Sequence, residues 1–519
     1  MSGTELSRRA FLSRSVAAIG AGALLLGGGL TGLRRLSGFA TAQAPPWPEP
    51  PVRRARSGRL STQLEVAETR VQVGGERAKA LTYEGSYPGP TIEIRAGDRL
   101  DVDLINDAAE PTNLHTHGLH VSPEAPADNV LLEIGKGERF PYSYELAEDH
   151  PGGTFWYHAH RHMLTDRQVF QGLFGMLIVR GALDELPGVA GLEERAFIIT
   201  QSQVVDGRMA NPETSSLSDQ VTLVNAELEP TATMRAGETQ RWRLINASVV
   251  FMRIVLEGHE LNTIAVDGNA LPETASQELI EIPPGGRFDV LVTAPKAGEF
   301  RLRSLSWNGL GPFYTSMVPN PQTLAKLVVT GSDAEPDPLP TELLPVEDLS
   351  GVDVDRTRTF RLEEREPRGV GPTDAFDYFI NGRMFDPSYV NEQVPLGAVE
   401  EWVFENLTYE PHPLHIHVNP FQVVAIDGDR SRAESHLRDT ALVPPFGSLT
   451  IRHRFSDFTG MTVMHCHILF HEDQGMMQLI EIYDPEKGPG PKQLAKPAMD
   501  HSEMAAAQLL CDLDGPARS

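Results

Sequence analysis

One phrase occurs three times in this chain of 519 residues. Arg95-Ala96-Gly97-Asp98 is followed by Asn106, nine residues after its Gly. Arg235-Ala236-Gly237-Glu238 returns 140 residues later with Asn246 at the same offset, and Pro90 and Pro230 keep the register. A looser copy, Leu396-Gly397-Ala398-Val399 with Asn406, follows after another 160 residues. Self-similarity at so long a period means one domain type used three times. Each copy has room for a domain of about 120–150 residues, within the usual range. Inside them, Leu64-Glu65-Val66, Thr69–Val73 and Thr91–Ile94 read as strands. With 46 Gly, 40 Pro and no sustained helical periodicity, an all-β chain of three Greek-key β-sandwiches is expected. The domains are placed at 58–182, 190–335 and 355–486. Residues 43–57 read as a Pro/Arg-rich linker, Asp333–Pro345 as an acidic, Pro-rich one, and 487–519 as a tail.

The chain begins with a targeting pattern. Ser7-Arg8-Arg9-Ala10-Phe11-Leu12 precedes an apolar run from Val16 to Gly32, and Ala40-Thr41-Ala42 offers a small-residue cleavage site. Paired Arg before Phe-Leu reads as a twin-arginine export signal over residues 1–42. The run is shorter than the roughly 20 residues a spanning helix needs, so no stable membrane insertion of the mature chain is expected. The formal charge is −26, and removing residues 1–42, with five Arg and one Glu, leaves −30. A surface this acidic disfavours nucleic acid and anionic membranes as partners and mildly favours cations. There are two Cys, Cys466 and Cys511, so no disulfide framework exists.

The repeat also carries chemistry. His115 and His117 stand nine and eleven residues after Asn106, and His415 and His417 hold the same offsets from Asn406. The middle copy has Val255 and Glu257 there, and the nearby His259 reads as an ordinary histidine. Two more His-x-His pairs are His158/His160 and His465/His467. Alternate residues of a strand face the same way, so each pair presents two imidazoles together. Eight convergent imidazoles exceed what one metal takes, which implies a multinuclear centre.

Cys466 lies between His465 and His467 and faces the opposite side. His471 follows five residues on, and Met476 ten residues on. His412 falls outside the alternation of His415 and His417 and is free for this second site. Two imidazoles, a thiolate and a weak thioether form the ligand set of a blue, electron-transfer copper. Zinc sites rarely use Met and are typically closed sets of four donors.

With all four motifs in hand, the chain resembles the multicopper oxidases of the laccase-like, three-cupredoxin-domain type, over nearly its whole length after the leader. That resemblance implies four coppers. His412, Cys466, His471 and Met476 would bind type 1 copper, and His115 and His415 type 2. His117, His158, His160, His417, His465 and His467 would bind the type 3 pair, between domains 1 and 3. It further implies one-electron oxidation of a small donor at type 1, transfer through Cys466 to His465 and His467, and reduction of O2 to water. Glu472 matches a carboxylate that delivers protons in relatives, and Asp128 is a weaker match. The expected donors are phenols and aromatic amines, the expected compartment is periplasmic or extracellular, and the expected state is a monomer.

Three other readings stay open. A copper nitrite reductase usually has two domains and lacks the full set of pairs. A cupredoxin-fold scaffold would have lost its copper ligands. An oxidase of Cu(I) or Fe(II) would carry a Met-rich insertion or an acidic cluster near the type 1 site, and the 14 Met are scattered.

Overall fold

The repeated phrase turns out to be turn chemistry, used identically three times. The structure, a computed structural model, describes residues 47–212, 215, 219–306, 321–365 and 376–494. In each copy the Gly takes a left-handed turn, with φ of 81°, 85° and 91° at Gly97, Gly237 and Gly397. Strands Arg99–Asn106, Glu238–Asn246 and Val399–Asn406 follow. The Asn that ends each strand donates from Nδ2 to the carbonyl four residues on: Glu110 at 2.9 Å, Val250 at 2.8 Å and Glu410 at 2.6 Å. It also reaches across to Ile134, Ile282 or Val443 O. Its Oδ1 accepts from the N–H two residues ahead. Only a short side-chain amide donates and accepts in this way.

Each copy is organised as two sheets, one of five strands and one of six, the six-stranded sheet of the first being completed by two short strands from the second. Alternation supplies the core: along Arg99–Asn106 every second residue is buried, and Leu100, Val102 and Leu104 meet Ile92, Phe155 and Leu177 of the facing sheet. Each such side chain contributes about 1.5–3 kcal/mol. The result is three cupredoxin-like sandwiches.

Two five-stranded sheets position the histidines. In domain 1, His115–His117 lies beside Gly153–His158, which lies beside Phe174–Arg180. In domain 3, His412–Ile416 lies between Thr440–Val443 and Gly460–Cys466. Their counterpart in domain 2 pairs Met252–Leu256 with Ile280–Ile282 and Gly298–Ser304.

Of the segment expected as a linker at 43–57, the described part from Trp47 on belongs to the fold. Val52–Arg54 pairs in parallel with Thr91–Glu93, and Trp47 donates to Ala196 O at 3.1 Å with its ring 4.5 Å from Phe197. Its Pro/Arg composition reads as loop, but an open sheet edge gave it a partner, and strand formation follows context more than propensity. For the same reason Val204–Val205 and Arg208–Met209, early in domain 2, extend a domain 1 sheet through Arg208 and Lys79. The acidic linker is docked too, with Thr274 N donating to Thr341 O and Leu343 N to Pro272 O. The expected tail is held at its start, where Leu494 N donates to Ser388 O at 2.8 Å. The leader at 1–42 and Cys511 lie outside the described residues, among which no helix is long and apolar enough to cross a membrane.

Candidate metal centre

The strand Gly460–Cys466 delivers donors to two sites at once. Leu414 pairs with Cys466 and His415 with His465 across the ladder. Cys466 Sγ lies 3.5 Å from His412 Nδ1 and 3.6 Å from His471 Nδ1, and the two nitrogens are 3.3 Å apart. Donors about 2.0–2.3 Å from one ion in a trigonal plane stand roughly 3.5–3.7 Å from each other, so the triangle fits a single metal. Its outward nitrogens face polar groups: His412 Nε2 is 2.8 Å from Thr408 Oγ1, and His471 Nε2 lies 3.2 Å from Glu410 Oε2. Tyr378 stacks on His471 at 4.0 Å. Met476 is fully buried in the same apolar cluster as Cys466. Its main chain bonds both sides of the loop, N to His471 O at 2.8 Å and O from Cys466 N at 3.0 Å.

The other eight histidines converge between domains 1 and 3, all buried. His160 Nε2 and His417 Nε2 stand 3.2 Å and 3.1 Å from His465 Nε2. His117 Nδ1 stands 3.2 Å from His467 Nε2, and His158 completes that trio. His115 and His415 form a further group with His117. Stacked pairs join the two domains: His115 on His417 at 4.0 Å and His117 on His415 at 3.8 Å. Sequence spacing therefore led to every one of these residues. His259 stands apart, its Nδ1 2.8 Å from Glu257 O.

Most of the rings are aimed by a partner on the far nitrogen, as metal-binding imidazoles are; the Nδ1 of His467 is buried without one. Asp128 Oδ2 is 2.8 Å from His115 Nδ1, while its Oδ1 accepts from Thr116 N at 2.8 Å. Glu472 bridges two rings, Oε2 3.1 Å from His465 Nδ1 and Oε1 3.5 Å from His160 Nδ1, and accepts from Thr165 Oγ1 at 3.1 Å. Asp439, which sequence reasoning missed, lies 3.1 Å from His117 Nε2 through Oδ1, and its main-chain oxygen accepts from His415 Nδ1 at 2.9 Å. Arg287 of domain 2 grips Asp439 with two bonds, of 2.7 Å and 2.5 Å. No spacing signal pointed to either: Asp439 is 22 residues past His417, and its partner lies 152 residues away.

The electrostatics suit metal. Burial, then neighbouring imidazoles, hold His115, His412, His417 and His467 well below the ordinary histidine range, so their lone pairs are free. Burial pushes the Cys466 thiol well up, so a thiolate there needs the charge of an ion. The inward Nε2 atoms of His115, His158 and His415 are buried without a hydrogen-bond partner. An ion would satisfy all three. Burial raises Asp128 to about 7 and also raises Glu472. At Asp439 burial acts upward too, but the Arg287 charge and hydrogen bonds outweigh it and hold the carboxyl low.

Comparisons with known proteins agree with this geometry. Residues 65–183, 188–327 and 356–486 each match a family model described as multicopper oxidase. The multicopper oxidase mco of Staphylococcus aureus is 25% identical over 420 residues, covering 79% of this chain and 85% of that protein. The cell division protein FtsP of Yersinia pestis is 26% identical over 454 residues, covering 85% and 90%. Among solved structures, a multicopper oxidase from Campylobacter jejuni, described as a metallo-oxidase, superposes with a TM-score of 0.72 at 26% identity, covering 84% and 96%. Three matched domains and donor sets built for a redox metal lead to one conclusion: this chain belongs to the multicopper oxidases, oxidoreductases that depend on copper.

Proposed function

We propose that the chain couples one-electron oxidation of phenols and aromatic amines to four-electron reduction of O2 to water, holding four coppers. His412, Cys466, His471 and Met476 would hold the first, His115 and His415 the second. His117, His158 and His467, with His160, His417 and His465, would hold the remaining two. Bound there, copper would supply one-electron redox at the first site and dioxygen chemistry at the cluster. The observation that carries this reading is the sharing of one strand: Cys466 faces the first site while His465 and His467 face the second. The protein itself supplies the wire. Cys466 is covalently joined to both histidines, and His465 Nδ1 lies 3.1 Å from Cys466 O. Glu472 would hold and pass protons at the Nδ1 atoms of His160 and His465, and Asp128 at His115. Burial of all eight cluster histidines excludes bulk water. The intact donor set weighs against a scaffold without copper.

Donors would enter at His471. Its neighbour Glu410 is 23% exposed while His471 is at 1%, so the carboxylate is the way in from solvent. Oxidation of Cu(I) or Fe(II) is the second reading. An acidic pair favours it: Glu364, raised to about 6 by burial and then by the Glu410 charge, stands beside Glu410. A relative described as a metallo-oxidase points the same way. One panel decides: a methoxyphenol, an aromatic diamine, Cu(I) and Fe(II), under air without added copper. Faster turnover of the organic donors is expected, and far faster turnover of the metal ions would give the second reading the place of the first. Both halves of the cluster come from one chain, so we propose a working monomer. Export by the twin-arginine route to the periplasm or outside the cell completes the proposal and rests on residues 7–42.

A further inference from the structure

We propose that Arg287, from the domain that supplies none of the twelve proposed ligands, is a positioning residue for the eight-imidazole cluster, acting through Asp439 on His117 and His415. The inference rests on the four-copper reading above. Arg287 is fully buried and grips both carboxylate oxygens of Asp439, at 2.7 Å and 2.5 Å. Asp439 Oδ1 stands 3.1 Å from His117 Nε2 and 3.4 Å from His415 Nδ1. That contact decides which nitrogen His117 presents, and the main-chain oxygen of the same Asp439 decides it for His415. With Nε2 occupied, His117 faces the cluster through Nδ1, 3.2 Å from His467 Nε2. With Nδ1 occupied, His415 faces it through Nε2. The two rings stack at 3.8 Å, so in the four-copper reading one residue, held by Arg287, orients donors to two metals, His117 through its carboxylate and His415 through its main-chain oxygen.

Domain 2 is shaped for this approach. Gly285, at φ 81°, passes so close that a Cβ would lie 2.8 Å from the His467 ring. At Gly118, also at positive φ, a Cβ would fall on the Arg287 guanidinium and the Asp439 carboxylate. Asp267 fixes both sides, accepting from Arg287 N at 2.9 Å and from Thr440 N at 3.1 Å. A buried ion pair adds little net stability for the charges it desolvates. Aiming two ligands is a consequence that a plain interface pair would lack.

The test uses the full chain loaded with Cu(II). Arg287→Met, Arg287→Lys, Asp439→Asn and the Met/Asn double variant are compared by copper content, chelator competition, the type 2 EPR signal and the blue absorption. Loss of an outer partner typically weakens metal binding 10–100-fold. Arg287→Met is therefore expected to weaken cluster copper about tenfold or more and to shift the type 2 hyperfine splitting, with the blue band unchanged. Arg287→Lys should fall between it and the parent. The double variant should be no weaker than Asp439→Asn alone, because the two act as one unit. Parent-like copper affinity and EPR in Arg287→Met overturn the proposal, whatever happens to melting temperature. If that variant does not fold, Arg287→Lys decides by the same criteria. A parent protein with a blue band and type 2 signal but insensitive variants defeats this inference alone. A parent without them defeats the four-copper reading, and this proposal with it.

Discussion

Glu472 Oε2 lies 3.1 Å from His465 Nδ1, and neither side chain is open to solvent. Burial raises the pKa of this carboxyl group, the direction that suits a group that both takes and gives protons. Glu472→Gln keeps the shape and removes the proton carrier. Reoxidation of the reduced enzyme by O2 should slow by about 10²-fold, in the range usual for a lost acid–base group, while donors still reduce the blue site at the parent rate. Stopped-flow traces with unchanged reoxidation would return Glu472 to a purely orienting role.

Met476 offers a second handle, on potential. A thioether stabilises the oxidised copper more than a hydrocarbon does, and the axial ligand tunes potential. Met476→Leu conserves volume in a fully buried position, a change that usually costs under about 1.5 kcal/mol. The potential of the blue site should rise. A redox titration showing no change, or a fall, would mean that the thioether is not an axial donor.

Stability against pH tests the buried imidazoles outside the metal sites. His453 is packed between Trp402 and Phe455, with no hydrogen-bond partner on either ring nitrogen. Burial lowers it to about 3, against about 6.5 in an unfolded chain. Its stabilising contribution is complete above pH ~6.5, because neither state then binds the proton. As pH falls from there toward 3, the unfolded chain takes up a proton that the folded protein refuses, and stability is lost. Between pH 7 and 5 this one group costs about 2 kcal/mol. His453→Leu should flatten the decline by that amount, as read from denaturant midpoints of the copper-free protein. Parallel declines in the two proteins would contradict the assignment.

Glu410 tests the entry route. Glu410→Gln removes a partly exposed charge beside His471, an effect of about 1 kcal/mol or less. For Fe(II) or a cationic diamine, kcat/KM should fall roughly 2–5-fold, whereas a neutral methoxyphenol should barely respond. Equal losses for all three donors would point to damage at the blue site and not to recognition.

Much of this was readable in the sequence because strand geometry is periodic. His-x-His pairs and the Cys466 alternation fix which face each donor takes, and the repeated Gly…Asn phrase marks the same turn in three sandwiches. The partners that aim the donors were not readable. Arg287 and Asp439 carry no spacing pattern, and they meet only because domain 2 folds against the cluster. Glu410, two residues before His412, carries no spacing signal either, and only the loop brings it to His471. The segment at 52–54 hid its strand because its partner edge lies 39 residues away. Local reading finds elements that satisfy themselves, and these satisfy one another.

The central claim is that the twelve donors hold four coppers, one of them bound to the Cys466 thiolate. Copper content and the visible spectrum of the purified, copper-loaded protein test it most directly, with Cys466→Ser alongside. The account predicts four coppers per chain and an intense blue band in the parent, and a colourless Cys466→Ser variant without oxidase activity that retains the cluster metal. A colourless parent holding one copper or none would contradict it.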